Sequence, residues 1–163
     1  LIPTAETAIL YNVTGICGDA NISIGVGTAK PFYYVGTPFA DTELLKKKLE
    51  EFHFEGVGFR KAVFVPRYGG YSGKAVQALE IYILEPKKVN LSELGYAIAY
   101  TFRELYPEQM GTWRQRAGGL GNVIDIAQGE DSLVKHEAPD TAFARWREEC
   151  AAFKLKATPY LLY

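Results

Sequence analysis

Between Arg67 and Lys74 the chain reads Arg-Tyr-Gly-Gly-Tyr-Ser-Gly-Lys, two phenolic rings and two cations set among three glycines. These residue types suit carbohydrate chemistry. Tyr68 and Tyr71 offer flat apolar faces for a sugar ring and hydroxyls at the tip, while Arg67 or Lys74 can pair with a carboxylate. The same stretch also reads as a long hairpin connection that uses glycine for turns and tyrosine for packing, and the residues leave both readings open. A second stretch, Thr14–Phe32, carries Gly15, Gly18, Gly25 and Gly27 with Asp19, Asn21, Ser23 and Thr28 between or beside them. Glycine lets a ligand come close to the backbone, and short polar side chains can bond hydroxyls or amides. Its alternative is a pair of turns joining short strands. It is no Walker A loop, because Gly-Val-Gly-Thr-Ala-Lys lacks the GxxxxGK[ST] spacing. Nor is it a dinucleotide fingerprint, since the third glycine is missing and no helical pattern follows at once.

Other reactive residue types point nowhere specific. His53 and His136 stand alone, without metal-ligand spacing, and read as surface or hydrogen-bonded histidines. Cys17 and Cys150 form no CxxC or metal pattern. Both are expected as buried free thiols, Cys150 on an apolar stripe of Phe143, Trp146, Cys150 and Phe153. No Ser-His-Asp or Cys-His set follows from order or spacing. Sequons at Asn12, Asn21 and Asn90 are too short a pattern to argue from. Neither a metal nor an organic cofactor is indicated. A net charge of -1 gives no general pull toward nucleic acid. No apolar run approaches the ~20 residues that span a bilayer. The start at Leu1, without methionine, leads us to expect that an upstream portion has been removed.

The elements that must position these loops follow from periodicity. Apolar residues at 48% and charged residues at 23% are ordinary for a single globular domain with its own core. Ala8–Asn12, Ile22–Val26 and Phe32–Gly36 read as short extended pieces broken by glycine. Asp41 is a plausible cap for a helix whose apolar face is Leu44, Leu45, Leu49 and Phe52, with Glu43 and Lys47 paired at i, i+4 and Lys46–Lys48 on a solvated face. Val57–Pro66 and Ala78–Pro86 read as neighbouring strands, with the tyrosine loop between them. Asn90 and Glu93 cap the clearest helix, which carries Leu94, Ala97, Ile98, Thr101 and Leu105 in a stripe and stops at Pro107. A looser stretch follows from Glu108 to Asn122, then a long helix from about Pro139. Without regular βαβ alternation the fold class is α+β: a mixed sheet of short strands and a hairpin packed against three or more helices, in one domain.

Five stretches in order give the chain a family resemblance: "NISIGVGTAKPFYYVGTPF" (21–39), "GVGFRKAVFVPRYGGYSGK" (56–74), "LEIYILEP", "RELYPEQ" and the closing "TPYLLY". Together they resemble the C-terminal half of the exo-β-N-acetylmuramidase (NamZ-like) peptidoglycan glycosidases, a family formerly known as a domain of unknown function. The likeness runs across nearly the whole chain. It implies that residues 1–163 are the C-terminal domain of a two-domain protein, with an absent N-terminal Rossmann-like domain as partner and the active site in the cleft between them. The implied activity is glycoside hydrolysis outside the cytoplasm, releasing N-acetylmuramic acid from non-reducing ends of peptidoglycan fragments. This fragment alone is then expected to be inactive, its main catalytic acid lying in the other domain.

Residue by residue, the resemblance implies Asp19 as a weak catalytic candidate and Asn21, Ser23, Lys30, Arg67, Tyr68, Tyr71 and Lys74 as saccharide contacts. The pattern departs in the tyrosine loop, where Gly70 replaces a frequent lysine and Lys74 a frequent glutamate. It departs also in the glycine-rich stretch, where Gly18 stands for the glutamate of many relatives and Val26 for their arginine. Those departures keep a second reading open, a non-catalytic carbohydrate- or protein-binding module derived from the enzyme.

Overall fold

Thr4 starts the first element by accepting a hydrogen bond from the Thr7 backbone N–H at 3.1 Å, the side-chain cap that a helix N-terminus lacks internally. Helix α1 then runs Ala5–Asp19. The computed structural model describes all residues except Leu1, Arg116, Leu120, Leu162 and Tyr163, so the last two residues of the closing "TPYLLY" lie outside the described residues. In chain order the other elements are β1 (Tyr34–Thr37), α2 (Thr42–Glu50), β2 (Val57–Phe64), β3 (Val76–Ile83), α3 (Leu91–Leu105), α4 (Val123–Gln128) and α5 (Pro139–Ala157).

The three strands form one antiparallel sheet in the order β1-β3-β2. Successive side chains of a strand point to opposite faces. Leu79 and Ile81 of β3 therefore enter the core, whereas Ala78, Glu80 and Tyr82 face the other way. Helix α2 reaches the sheet on the Leu79 side, since its Glu43 pairs with Lys61, the β2 residue opposite Leu79. Helix α1 packs on α3 through Leu10, Val13 and Cys17, all fully buried. Gly95 allows the close approach: a Cβ there would collide with the Val13 carbonyl oxygen. The α+β class therefore holds, with every strand pair antiparallel.

The Asp41 and Asn90 caps form as the sequence indicates. Asp41 accepts from the N–H groups of Glu43 and Leu44, and Asn90 accepts from that of Glu93. Other expectations are corrected. Ala8–Asn12 is helical rather than extended, because Leu10, Val13 and Cys17 recur on one side of α1 and find α3 there. Glu43 pairs with Lys61 of the neighbouring β2, and Lys46 pairs with Glu50 at 3.6 Å. Cys17 is buried, and burial pushes its thiol pKa up, which keeps it protonated and inert. Cys150 is exposed instead, as is Phe153 at 69%, because α5 leaves the body of the domain beyond Trp146. Among the described residues no helix is long and apolar enough to cross a membrane.

Candidate functional site

The glycine-rich stretch and the tyrosine loop meet. Ser23 exchanges two backbone hydrogen bonds with Gly36 of β1, at 2.8 and 3.0 Å, which fixes the first loop to the sheet. From there the chain turns through Gly25 and Gly27. Gly27 has φ +92°, and a Cβ on it would lie 2.7 Å from the Tyr68 carbonyl oxygen. Only glycine lets the two backbones touch here, joined by the Arg67 N–H donating to the Gly27 carbonyl at 3.0 Å. The tyrosine loop closes on itself. Gly73 N–H donates to the Pro66 carbonyl at 2.9 Å and the Ser72 hydroxyl to the Arg67 carbonyl at 2.8 Å.

A third segment completes the site. Asn21 donates its Nδ2 to the Met110 carbonyl at 3.2 Å, while its own carbonyl accepts from the Tyr71 hydroxyl at 2.9 Å. One residue thus ties together the end of α1, the tyrosine loop and the stretch after α3. That stretch is gripped further along. Arg103 lies over the Trp113 ring at 4.1 Å and donates to the Gly111 carbonyl at 2.9 Å. The Arg114 carbonyl accepts from the Val123 N–H at 2.8 Å.

The result is an open pocket of about 470 Å³. Asn21 and Ser23 line it from one loop and Tyr68 and Tyr71 from another, with Gln109 and Arg114 from the third. Tyr68 is half exposed and presents its ring to solvent, whereas Tyr71 is partly buried, which raises its pKa and keeps it a neutral donor. Arg114 is the one charged side chain among the described residues lining the pocket, and its Nη2 donates to Asp19 Oδ1 at 2.6 Å. Asp19 stands behind this guanidinium rather than in the lining. Gly18 and Val26 do line the pocket.

The remaining sequence candidates go elsewhere. Lys30 lies on the outer face of the sheet, where its Nζ donates to Glu80 Oε1 at 2.7 Å, and Arg60 Nη2 holds Glu80 Oε2 at 2.5 Å. Burial of Glu80 works to raise its pKa, but hydrogen bonds from Lys30, Arg60 and Tyr82 outweigh it and hold the carboxyl below the usual carboxylate range. Arg67 and Lys74 belong to the tyrosine loop, but neither lines the pocket. His136 stacks on Tyr100 at 4.4 Å and His53 sits exposed in the turn after α2.

Gln109, Met110 and Arg114 escape sequence reasoning, because they fall in a stretch without periodicity and reach the pocket only through a contact between residues 89 positions apart. The available signal is the pairing of Trp113 with Arg114 between glycines, the same aromatic-cation composition as the tyrosine loop. A larger cleft of about 790 Å³ lies between the α2–β2 turn, α3 and α5. Among the described residues its one deeply buried carboxyl group, that of Glu93, is already bound twice by Arg147, at 3.0 and 2.7 Å. With its buried charge already matched, this cleft is the weaker candidate.

Comparison with known proteins gives three matches. The family described as "Exo-beta-N-acetylmuramidase NamZ, C-terminal" matches residues 9–163. The peptidoglycan beta-N-acetylmuramidase NamZ of Bacillus subtilis (strain 168) is 35% identical over 156 residues, covering 91% of this chain and 38% of that protein. A DUF1343 family protein from Bacteroides fragilis NCTC 9343, known from a crystal structure, matches with a TM-score of 0.80 at 23% identity, over 99% of this chain and 43% of that one. This last likeness shows a shared fold. The chain spans less than half the length of either relative.

Proposed function

This chain belongs to the family of C-terminal domains of the exo-β-N-acetylmuramidase NamZ, and we propose that it forms the substrate-binding wall of a peptidoglycan glycosidase. The proposed reaction is release of N-acetylmuramic acid from the non-reducing ends of peptidoglycan fragments, and the proposed place of action is outside the cytoplasm. One observation carries the reading: Asn21, Ser23, Tyr68 and Tyr71, from loops far apart in sequence, converge on one open pocket. Such a lining combines an exposed ring for stacking on a pyranose with short donors and acceptors for its hydroxyl and acetamido groups.

Glycoside hydrolysis generally uses two carboxylates flanking the scissile bond. None lines this pocket among the described residues, and Asp19 is turned to Arg114. The reacting carboxylates therefore come from a partner domain, which we take to be a Rossmann-like N-terminal domain closing over this face. The same observation favours one other reading, a binding module that keeps the pocket without the chemistry.

Hydrolysis of para-nitrophenyl β-N-acetylmuramic acid and of its N-acetylglucosamine analogue, by this chain joined to its N-terminal domain, separates the two. Release of nitrophenol from the muramic substrate, at least tenfold faster than from the analogue, is the expected result. A folded protein that binds N-acetylmuramic acid but releases nothing from either substrate is the module.

A further inference from the structure

We propose that Arg114 recognises the lactyl carboxylate, the group that distinguishes N-acetylmuramic acid from N-acetylglucosamine, and that Asp19 positions Arg114 for the task. The proposal rests on the saccharide reading of the pocket given above. Arg114 is the one charged side chain among the described residues of the lining, so it is the cation the described pocket offers to an acidic substituent on a sugar seated there. The cations that the sequence points to are placed differently. Lys30 is engaged by Glu80, and Arg67 and Lys74 lie outside the lining.

The local geometry suits a carboxylate. A guanidinium carries five N–H donors in a rigid fork that matches the two oxygens of a carboxylate. The bond to Asp19 is a single contact from Nη2 at 2.6 Å, which leaves donors for a second, bidentate partner. Asp19 closes α1, whose Cys17 and Leu10 are fully buried, so the acceptor that orients Arg114 is carried on a rigid element. The backbone of Arg114 is fixed on its other side. Its carbonyl accepts from Val123, and the next residue, Gln115, donates its Nε2 to Asn122 Oδ1 at 2.5 Å. Arg114 itself is 61% exposed, so incoming substrate can reach the fork. Asp19 also offsets the guanidinium charge, which favours a ligand that makes the paired bonds over any passing anion.

The test is competitive inhibition of the joined, two-domain protein by N-acetylmuramic acid and by its neutral lactyl carboxamide. The wild type binds the acid more tightly. Arg114→Gln is expected to weaken the acid roughly tenfold to a hundredfold, the value of a charge-assisted bidentate contact, and to leave the carboxamide within about twofold. Arg114→Lys, which keeps the charge and loses the fork, falls between. Asp19→Asn raises the KM of the muramic substrate more than it lowers kcat, and Asp19→Glu recovers part of the loss. Arg114→Gln weakening both ligands alike, or neither, overturns the proposal and leaves the saccharide pocket standing. A folded wild type that binds neither ligand overturns the pocket reading and this proposal together.

Discussion

Asn21 concentrates more of the site than any other residue. Its φ of +61° lies in the left-handed region, which asparagine tolerates better than most side chains. In that conformation its carbonyl meets the Tyr71 hydroxyl and its side chain meets Met110. Asn21→Ala loses the Met110 bond and is strained by the positive φ, so it should cost about 1–3 kcal/mol in urea denaturation. Asn21→Gly relieves the strain and keeps the acceptor for Tyr71, so it should cost less than the alanine variant. The reverse order would contradict the role given to φ here. Glu80 allows a second prediction at this scale. Its pKa lies below the ordinary value in the folded protein, so the unfolded chain binds the proton first. The stability it contributes is complete above the ordinary carboxylate pKa of about 4.3 and is lost as pH falls through the lower, folded value. Glu80→Gln should therefore destabilise by about 1–3 kcal/mol near neutral pH and flatten the acid limb of the stability profile. An unchanged acid limb would show that Lys30 and Arg60 do not stabilise the ionised form.

The elements differ in how openly the sequence announces them. Helix α3 is legible because a cap, a stripe and a terminating proline agree: Asn90, then Leu94, Ala97, Ile98 and Thr101, then Pro107. The β2–β3 hairpin is legible from its apolar, β-branched and aromatic runs. Helix α1 is not, since Thr7, Val13, Thr14 and Ile16 favour extended backbone locally and Gly15 and Gly18 suggest turns. Tertiary packing decides it. Thr14 adapts to the helix by donating to the Leu10 carbonyl at 3.0 Å and to that of Phe32 at 3.1 Å. Helix α5 errs the other way, because its apolar stripe continues past the point where anything packs against it, leaving Phe153 and Cys150 in solvent. The α1–α3 contact gives the prediction for this scale. Gly95→Ala improves helix propensity by about 1 kcal/mol in isolation. It also drives a methyl group into the Val13 carbonyl oxygen, so a net loss of about 1–3 kcal/mol is expected in urea denaturation. A stabilised variant would mean that the two helices separate without cost.

For the whole molecule, the pocket is assembled from three segments that the chain keeps far apart: the end of α1 with the loop after it, the β2–β3 connection, and the stretch after α3. The residues of the first two could be singled out by type, short polar side chains among glycines in one and tyrosines and cations among glycines in the other, although the same types also build plain turns. Their meeting was not legible, since it depends on Gly27 touching Tyr68 and on Asn21 reaching Met110. The third segment was invisible for the same reason. The molecule also holds a larger cleft, formed by the α2–β2 turn with α3 and α5, and the account requires saccharide to ignore it. Amide chemical shifts of the isotopically labelled chain, followed as N-acetylmuramic acid is added, test this most directly. The account predicts shifts grouped at Asn21–Gly27, Tyr68–Tyr71 and Gln109–Arg114. Shifts grouped instead around Phe52–Glu55, Glu93 and Arg147, or none at concentrations where the two-domain protein binds the sugar, would contradict it.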